Sequence, residues 1–185
     1  MCDKYVIVEG ASMFLAGPVL VKAAIGQEID QETLGGATTH SAISGTADFH
    51  EKDDLSALGR TRSIMKLMNI PSDTAFLKAD IVDPEYSIDD LIGLFNPENT
   101  GMYDILEIIS RLVDGSEFNQ YKKTYGKTLV CGNGRIGGMN IGIVANQRKI
   151  EKPEQGEIQM GGVIYSDSAD KAARFIMNCN QDKIP

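Results

Sequence analysis

Apolar and polar positions divide the chain into two patterned stretches with an unpatterned one between them. "KYVIVEG", residues 4–10, is a short β-branched run and predicts a strand. "AGPVLVKAAIG" then carries Pro18 at a helix-start position and Gly26 where a helix stops. "DQETLGG" repeats that grammar, with Asp30 able to cap and Gly35-Gly36 terminating. "DDLSALGRTRSIMKLMNIP" predicts the clearest helix of the first half. Its Leu55, Leu58, Ile64, Met65 and Met68 lie mostly at helical spacing, and Pro71 ends it. From Pro71 to about Gly101 no period is sustained, and prolines and acids predict a linker with a helical turn. Pattern returns in "YDILEIISRLVDG", amphipathic through Ile105, Leu106, Ile108, Ile109, Leu112 and Val113 up to Gly115. "KTLVCGNGRIGGMNIGIVAN" is two β-rich runs joined by glycines. "SDSADKAARFIMNCNQDKIP" predicts a capped helix with Ala172, Ala173, Ile176 and Cys179 on one side. A strand with nothing before it and a helix with no strand after it suggest a piece of a longer chain, holding the end of one α/β domain and the start of another.

Three motifs tempt a chemical reading. Gly132, Gly134 and Gly137 match GxGxxG, with acids between Glu151 and Glu157 near the distance of a ribose-binding residue. A dinucleotide site needs a helix opening on those glycines, whereas "MNIGIVAN" reads as a strand, so a hairpin turning at Gly137-Gly138 is preferred. Ser168 and Lys171 spell SxxK, but the companion SDN and KTG elements are missing, and Ser168 beside Asp167 serves as a helix cap. His40 and His50 are the two imidazoles. Either could act as a base oriented by Asp48, Asp53 or Asp54, yet no nucleophile stands nearby, and ordinary loop hydrogen bonds are the favoured reading. Asp53-Asp54 opens the following helix at its positive dipole end, and Met65, Met68 and Met177 are expected in the core.

Composition narrows the class. The 185 residues, 42% apolar and 24% charged, suit an ordinary globular protein with its own core. A net charge of −8 gives no general basic surface for nucleic acid or an anionic membrane, and no apolar run approaches a membrane span. "MCDKYVIVEG" lacks the features of a secretory signal. Cys2, Cys131 and Cys179 fit reduced thiols in a cytosolic protein, and with no CxxC and two histidines a zinc site is not expected.

What remains is a long passage, residues 14–40, whose glycines at 17, 26, 35 and 36 surround little side-chain chemistry. "FLAGPVLVKAAIGQEIDQETLGGATTHSAISGTADFHEKDD" resembles the carboxyltransferase β subunits of biotin-dependent acyl-CoA carboxylases of the propionyl-CoA and methylcrotonyl-CoA type. The shared grammar is F-[LI]-x-G-P-x-x-[VI]-K, an acidic helix, L-G-G-A-x-x-H and S-G-x-x. "YDILEIISRLVDGSEFNQYKKTYGKTLVCGNGRIGGMNIGIVANQ" is similar to the start of that family's second domain, and "SDSADKAARFI" to its first long helix. The likeness runs in order over the whole chain. "EKPEQGEIQMGG" is longer and more charged than the propionyl-type subunits lead one to expect.

The resemblance implies an α/β fold of the crotonase type, two spirals of β-β-α units per subunit. It implies that residues 1–78 end a first, acyl-CoA domain, 79–101 link, and 102–185 begin a second, carboxybiotin domain. The active site would lie between the first domain of one subunit and the second of another, so a homo-oligomer is implied, with biotin carboxylase and biotin carboxyl carrier subunits as partners. Carboxybiotin would hand its carboxyl to the alpha, or vinylogous gamma, carbon of an acyl-CoA through an enolate stabilised by backbone amides, with no metal in this segment. The family's two oxyanion loops fall outside the chain, so its catalytic residues stay unassigned and the 185-residue piece is expected to be inactive alone. Gly35, Gly36, Thr39, His40, Gly161 and Gly162 are the expected substrate-wall residues, each glycine also readable as a turn or cap. A sodium-pumping acyl-CoA decarboxylase subunit and a non-catalytic assembly module are the alternatives. A cytoplasmic location, or the mitochondrial matrix in a eukaryote, is implied.

Overall fold

A computed structural model describes residues 2–68, 79–94 and 101–185. The first half opens with β1 (Val6–Val8), followed by helix α1 (Pro18–Ile25), which starts at Pro18 and stops at Gly26 in the left-handed region (φ 71°). Helix α2 (Gln31–Gly35) is capped by Asp30, whose side chain accepts from Thr33 N, and ends on Gly36. One π-helical turn (Thr39–Ile43) leads to β2 (Phe49–Glu51), which pairs in parallel with β1, Ile7 opposite His50. Helix α3 (Asp54–Leu67) starts on an Asp53 cap. Pro71, predicted to end it, lies outside the described residues.

The predicted linker contains its helical turn, a 3₁₀ turn (Ile88–Asp90) running into α4 (Leu91–Leu94). Its described part lies on the second half: Ala79 N donates to Gly138 O (2.9 Å) and Gly115 N to Val82 O (3.3 Å). Helix α5 (Ile105–Ile109) is shorter than the amphipathic pattern predicts, because the chain turns through a 3₁₀ segment (Asp114–Ser116) with Gly115 at φ 58°. Strands β3 (Asn119–Tyr121), β4 (Leu129–Ile136) and β5 (Met139–Asn146) form an antiparallel meander in that order, and helix α6 (Ser166–Gln181) crosses it. The tip joining β4 to β5 is Gly137-Gly138, both at positive φ (59° and 78°), the turn predicted for these glycines. Among the described residues no helix is long and apolar enough to cross a membrane.

Three apolar clusters hold these elements. Ile7, Ala37 and Ala47 close the first half; Ile109, Val113 and Val130 pack α5 on the meander. The third joins the halves, because Phe49 of β2 packs with Tyr121 of β3, Cys131 of β4 and Phe175 of α6.

Two helices are rotated from the faces their apolar residues predict. In α3, Leu55, Leu58 and Met65 are exposed, as is Met68 just after it, whereas Arg60 and Ile64 face inward. The Arg60 guanidinium supplies the reason: its Nε donates to Glu51 (2.6 Å), its Nη1 to Asn119, and its Cζ lies over the Phe49 ring, 5.2 Å from the ring centre. In α6 the inward stripe is Ser168, Lys171, Ala172, Phe175 and Cys179, while Ala173 and Ile176 face out. Met177 is likewise exposed, so none of the three methionines assigned to the core lies in it.

Candidate functional site

The first four sequence-predicted wall residues form one unit around Met13. Gly35 O accepts from Met13 N (2.8 Å), and a Cβ on Gly35 would stand 2.4 Å from Met13 O, so only glycine lets the two backbones meet. Gly36 N is engaged by Glu32 O (2.8 Å), and the Glu32 carboxylate accepts from Thr38 N (2.9 Å). Thr39 Oγ1 donates to Glu32 O (2.8 Å). The His40 ring spans Met13 O (Nε2, 2.8 Å) and Thr46 Oγ1 (Nδ1, 2.7 Å). A carbonyl oxygen can only accept, so Nε2 donates to Met13 O, while Nδ1 pairs with the threonine hydroxyl. Both nitrogens are committed, and His40 is an organiser of the loop rather than a free base.

His50 meets Ser41 Oγ (3.2 Å) through Nδ1 and Glu9 (2.7 Å) through Nε2. None of Asp48, Asp53 and Asp54 orients an imidazole in this arrangement. Asp53 caps α3 through Ser56 N (2.7 Å) and Asp54 opens the same helix. Asp48 instead receives Tyr5 N (2.9 Å) and the Lys122 ammonium (3.3 Å).

Gly161 and Gly162 lie apart from this unit, against the exit of β5. Gly162, at φ 80°, gives its amide to Gln147 O (2.8 Å), and a Cβ on Gly161 would stand 2.4 Å from the Arg148 carbonyl carbon. The structure therefore gathers Gly35, Gly36, Thr39 and His40 and leaves Gly161-Gly162 on another surface.

A cavity of about 430 Å³ opens beside the gathered unit. Met13 and Thr46, the two residues that fix the His40 ring, line it, together with Asp48 from the first half and Lys122, Lys171 and Arg174 from the second. Lys122 and Arg174 carry no signal in a hydrophobicity pattern and sequence reasoning missed them, while Lys171 was met only as part of the SxxK motif. Lys171 is 1% exposed, donating Nζ to Tyr125 O (2.7 Å) and Lys122 O (3.3 Å). Burial pushes its ammonium down to about 8. Burial also lowers Lys122, against the opposing pull of Asp48, and pushes the Cys131 thiol up to about 11.

The rejected motifs have structural work. Asp114 accepts from both hairpin amides, Gly137 N (2.9 Å) and Gly138 N (2.7 Å), so an internal carboxylate occupies the donors that a pyrophosphate would need. Ser168 Oγ accepts from Tyr165 N (2.8 Å) and donates to Tyr165 O (2.9 Å), closing the first turn of α6.

A carboxyl transferase domain family matches residues 1–185. The mitochondrial methylcrotonoyl-CoA carboxylase beta chain of Dictyostelium discoideum is 39% identical over 186 residues, covering 100% of this chain and 29% of that protein. The methylmalonyl-CoA decarboxylase subunit alpha of Propionigenium modestum is 30% identical, covering 98% of this chain and 34% of its own. Among solved structures, transcarboxylase 12S, described as a hexamer with hydrolysed methylmalonyl-coenzyme A bound, superposes with a TM-score of 0.80 at 28% identity, covering 99% of this chain and 34% of that one. The chain spans about a third of the length of the curated relatives it matches.

Proposed function

The chain belongs to the carboxyl transferase domain family, with that family's crotonase-like α/β fold, and on that premise we propose that it is one stretch of a carboxyltransferase subunit of a biotin-dependent acyl-CoA carboxylase. The observation that carries the reading is the agreement of sequence and fold over the same residues, end to end. We assign residues 1–78 to the acyl-CoA domain, 79–101 to the linker and 102–185 to the carboxybiotin domain. Strands β4 and β5 with α6 would be the first β-β-α unit of the second domain. Biotin, carried on a partner subunit, would supply the carboxyl group.

The chain's own residues supply shape rather than charge stabilisation. Gly36 and Gly162 already give their amides to Glu32 and Gln147, so neither is spare for an oxyanion. The lack of side chains at Gly35 and Gly36, and the His40 ring held by Met13 and Thr46, make a close-packed wall beside the cavity that Met13 and Thr46 line. Preorganised backbone donors for the developing enolate belong to other stretches of the subunit.

An oligomer with biotin carboxylase and carrier partners fits the surface. Leu15, Val19, Leu20 and Ile25 on and before α1 are 61–109% exposed, a run of apolar groups of the kind that marks an interface. Cytoplasm, or the mitochondrial matrix in a eukaryote, is the location this reading carries.

The complete subunit, assembled with biotin carboxylase, carrier protein, ATP and labelled bicarbonate, is expected to place label in an acyl-CoA from a short-chain panel. Label that stays on biotin with every thioester, in a folded oligomer, would favour a non-catalytic assembly module instead. The likeness to a methylmalonyl-CoA decarboxylase subunit supports a second reading, in which the same site loads biotin from a malonyl-type thioester without ATP. That outcome would reverse the direction and keep the site.

A further inference from the structure

Where the two halves meet, one lysine is held by its main chain, its ammonium and its carbonyl at once. Lys122 N donates to Asp48 O (2.9 Å), continuing the edge of β3 onto the residue that precedes β2. Its Nζ reaches Asp48 Oδ1 (3.3 Å), the Gly45 carbonyl and Ala47 O (3.4 Å), all within one first-half loop. Its carbonyl accepts from Lys171 of α6. The Asp48 carboxylate is fixed from the far side by Tyr5 N. Both side chains are nearly inaccessible, 6% for Lys122 and 10% for Asp48.

The backbone of Lys122 stands at φ 45°, in the left-handed region that a residue with a Cβ rarely adopts. Glycine would relieve that strain and lose the ammonium. The strained lysine thus marks a place where the charge is retained at a conformational cost. A buried ion pair adds little net stability over an apolar pair of the same shape, and its best-attested use is to fix register. Three acceptors from residues 45–48 around one ammonium do that: they set the angle between the two sheets in a way that the greasy contact of Phe49 with Tyr121 (6.3 Å between ring centres) does not.

We propose that Lys122 is a positioning residue that locks the first-half strand pair to the second-half meander through Asp48, and so fixes the mutual orientation of the acyl-CoA and carboxybiotin half-sites within one subunit. The catalytic consequence rests on the function proposed above; the lock itself does not. In a closed oligomer each subunit lends its two half-sites to different active sites, so a small error in their angle misaligns every site in the ring.

The test uses the complete subunit and two variants, Lys122→Met and Asp48→Asn/Lys122→Met. The second removes both charges together, so that no unpaired ion is left to unfold the protein. Carboxyl transfer by the double variant is expected to lose tenfold to a hundredfold in kcat, the order produced by a misplacement of about an ångström. The acyl-CoA KM should stay within about twofold, a split that simple loss of folded protein does not give. Hydrogen exchange on the same samples is expected to rise in residues 44–49 and 119–125 and to stay unchanged along β4 and β5. Wild-type kcat in the double variant, or exchange unchanged at the junction, would overturn the proposal. If the wild-type subunit transfers no carboxyl, the functional reading fails, and the exchange measurement alone decides the lock.

Discussion

Replacing Asp48 with alanine is expected to lower the unfolding free energy of the chain by about 3–5 kcal/mol, the range found when one partner of a buried ion pair is removed. The loss has two sources. The Lys122 ammonium keeps its carbonyl partners but loses the Asp48 carboxylate beside it. Tyr5 N loses its acceptor, and with it part of what seats the start of β1. Asparagine at the same position keeps an acceptor for Tyr5 N and should cost less. Urea denaturation of the three proteins at neutral pH measures the series. A loss below about 1 kcal/mol for the alanine variant would mean that water, and not Asp48, satisfies the lysine.

The second large effect is a pH dependence carried by Lys171. Its folded pKa of about 8 lies below the ordinary 10.5 because burial disfavours the charged form. The unfolded chain therefore binds more protons between those values, and stability attributable to this residue rises with pH across that window. Below about pH 8 the full penalty is present; as pH approaches 10.5 it is removed. The difference corresponds to about 3 kcal/mol at most. Cys131, pushed up to about 11, acts in the opposite sense above pH 9, and Tyr121, raised by burial, does so above pH 10. Both groups remain in a Lys171→Met variant, so the comparison largely cancels them. Wild type is expected to gain on Lys171→Met steadily from pH 8 to 10.5. A constant gap over that range would show that the ammonium keeps its ordinary affinity for protons, held charged by the Tyr125 and Lys122 carbonyls.

The contrast between what the sequence announced and what it hid follows from which interactions have a period. Backbone punctuation was legible: Pro18 and Gly26 bound α1, Asp30 caps α2, Asp53 caps α3, and Gly137-Gly138 turn the hairpin. Each is a local rule, decided within a few residues. Ile64, Ala172 and Cys179 were read correctly as inward, but the charged members of the inward faces of α3 and α6 were not legible, because Arg60 and Lys171 occupy them through partners 59 and 46 residues away. A hydrophobicity pattern assigns such residues to solvent, and the exposed Leu55, Leu58, Met65 and Met177 are the mirror image of that error. The candidate wall divides the same way. Gly35, Gly36, Thr39 and His40 are neighbours in sequence and stay together around Met13, whereas Gly161-Gly162, far along the chain, pack against Gln147 and Arg148 at the exit of β5.

A structure of the complete subunit bound to an acyl-CoA examines the central claim most directly. The thioester end is expected to lie along the glycine wall of the first half, in contact with the Gly35–His40 segment or the Met13 and Thr46 groups that brace it. Acyl-CoA seated wholly on the second half, or on a surface remote from both, would contradict the account.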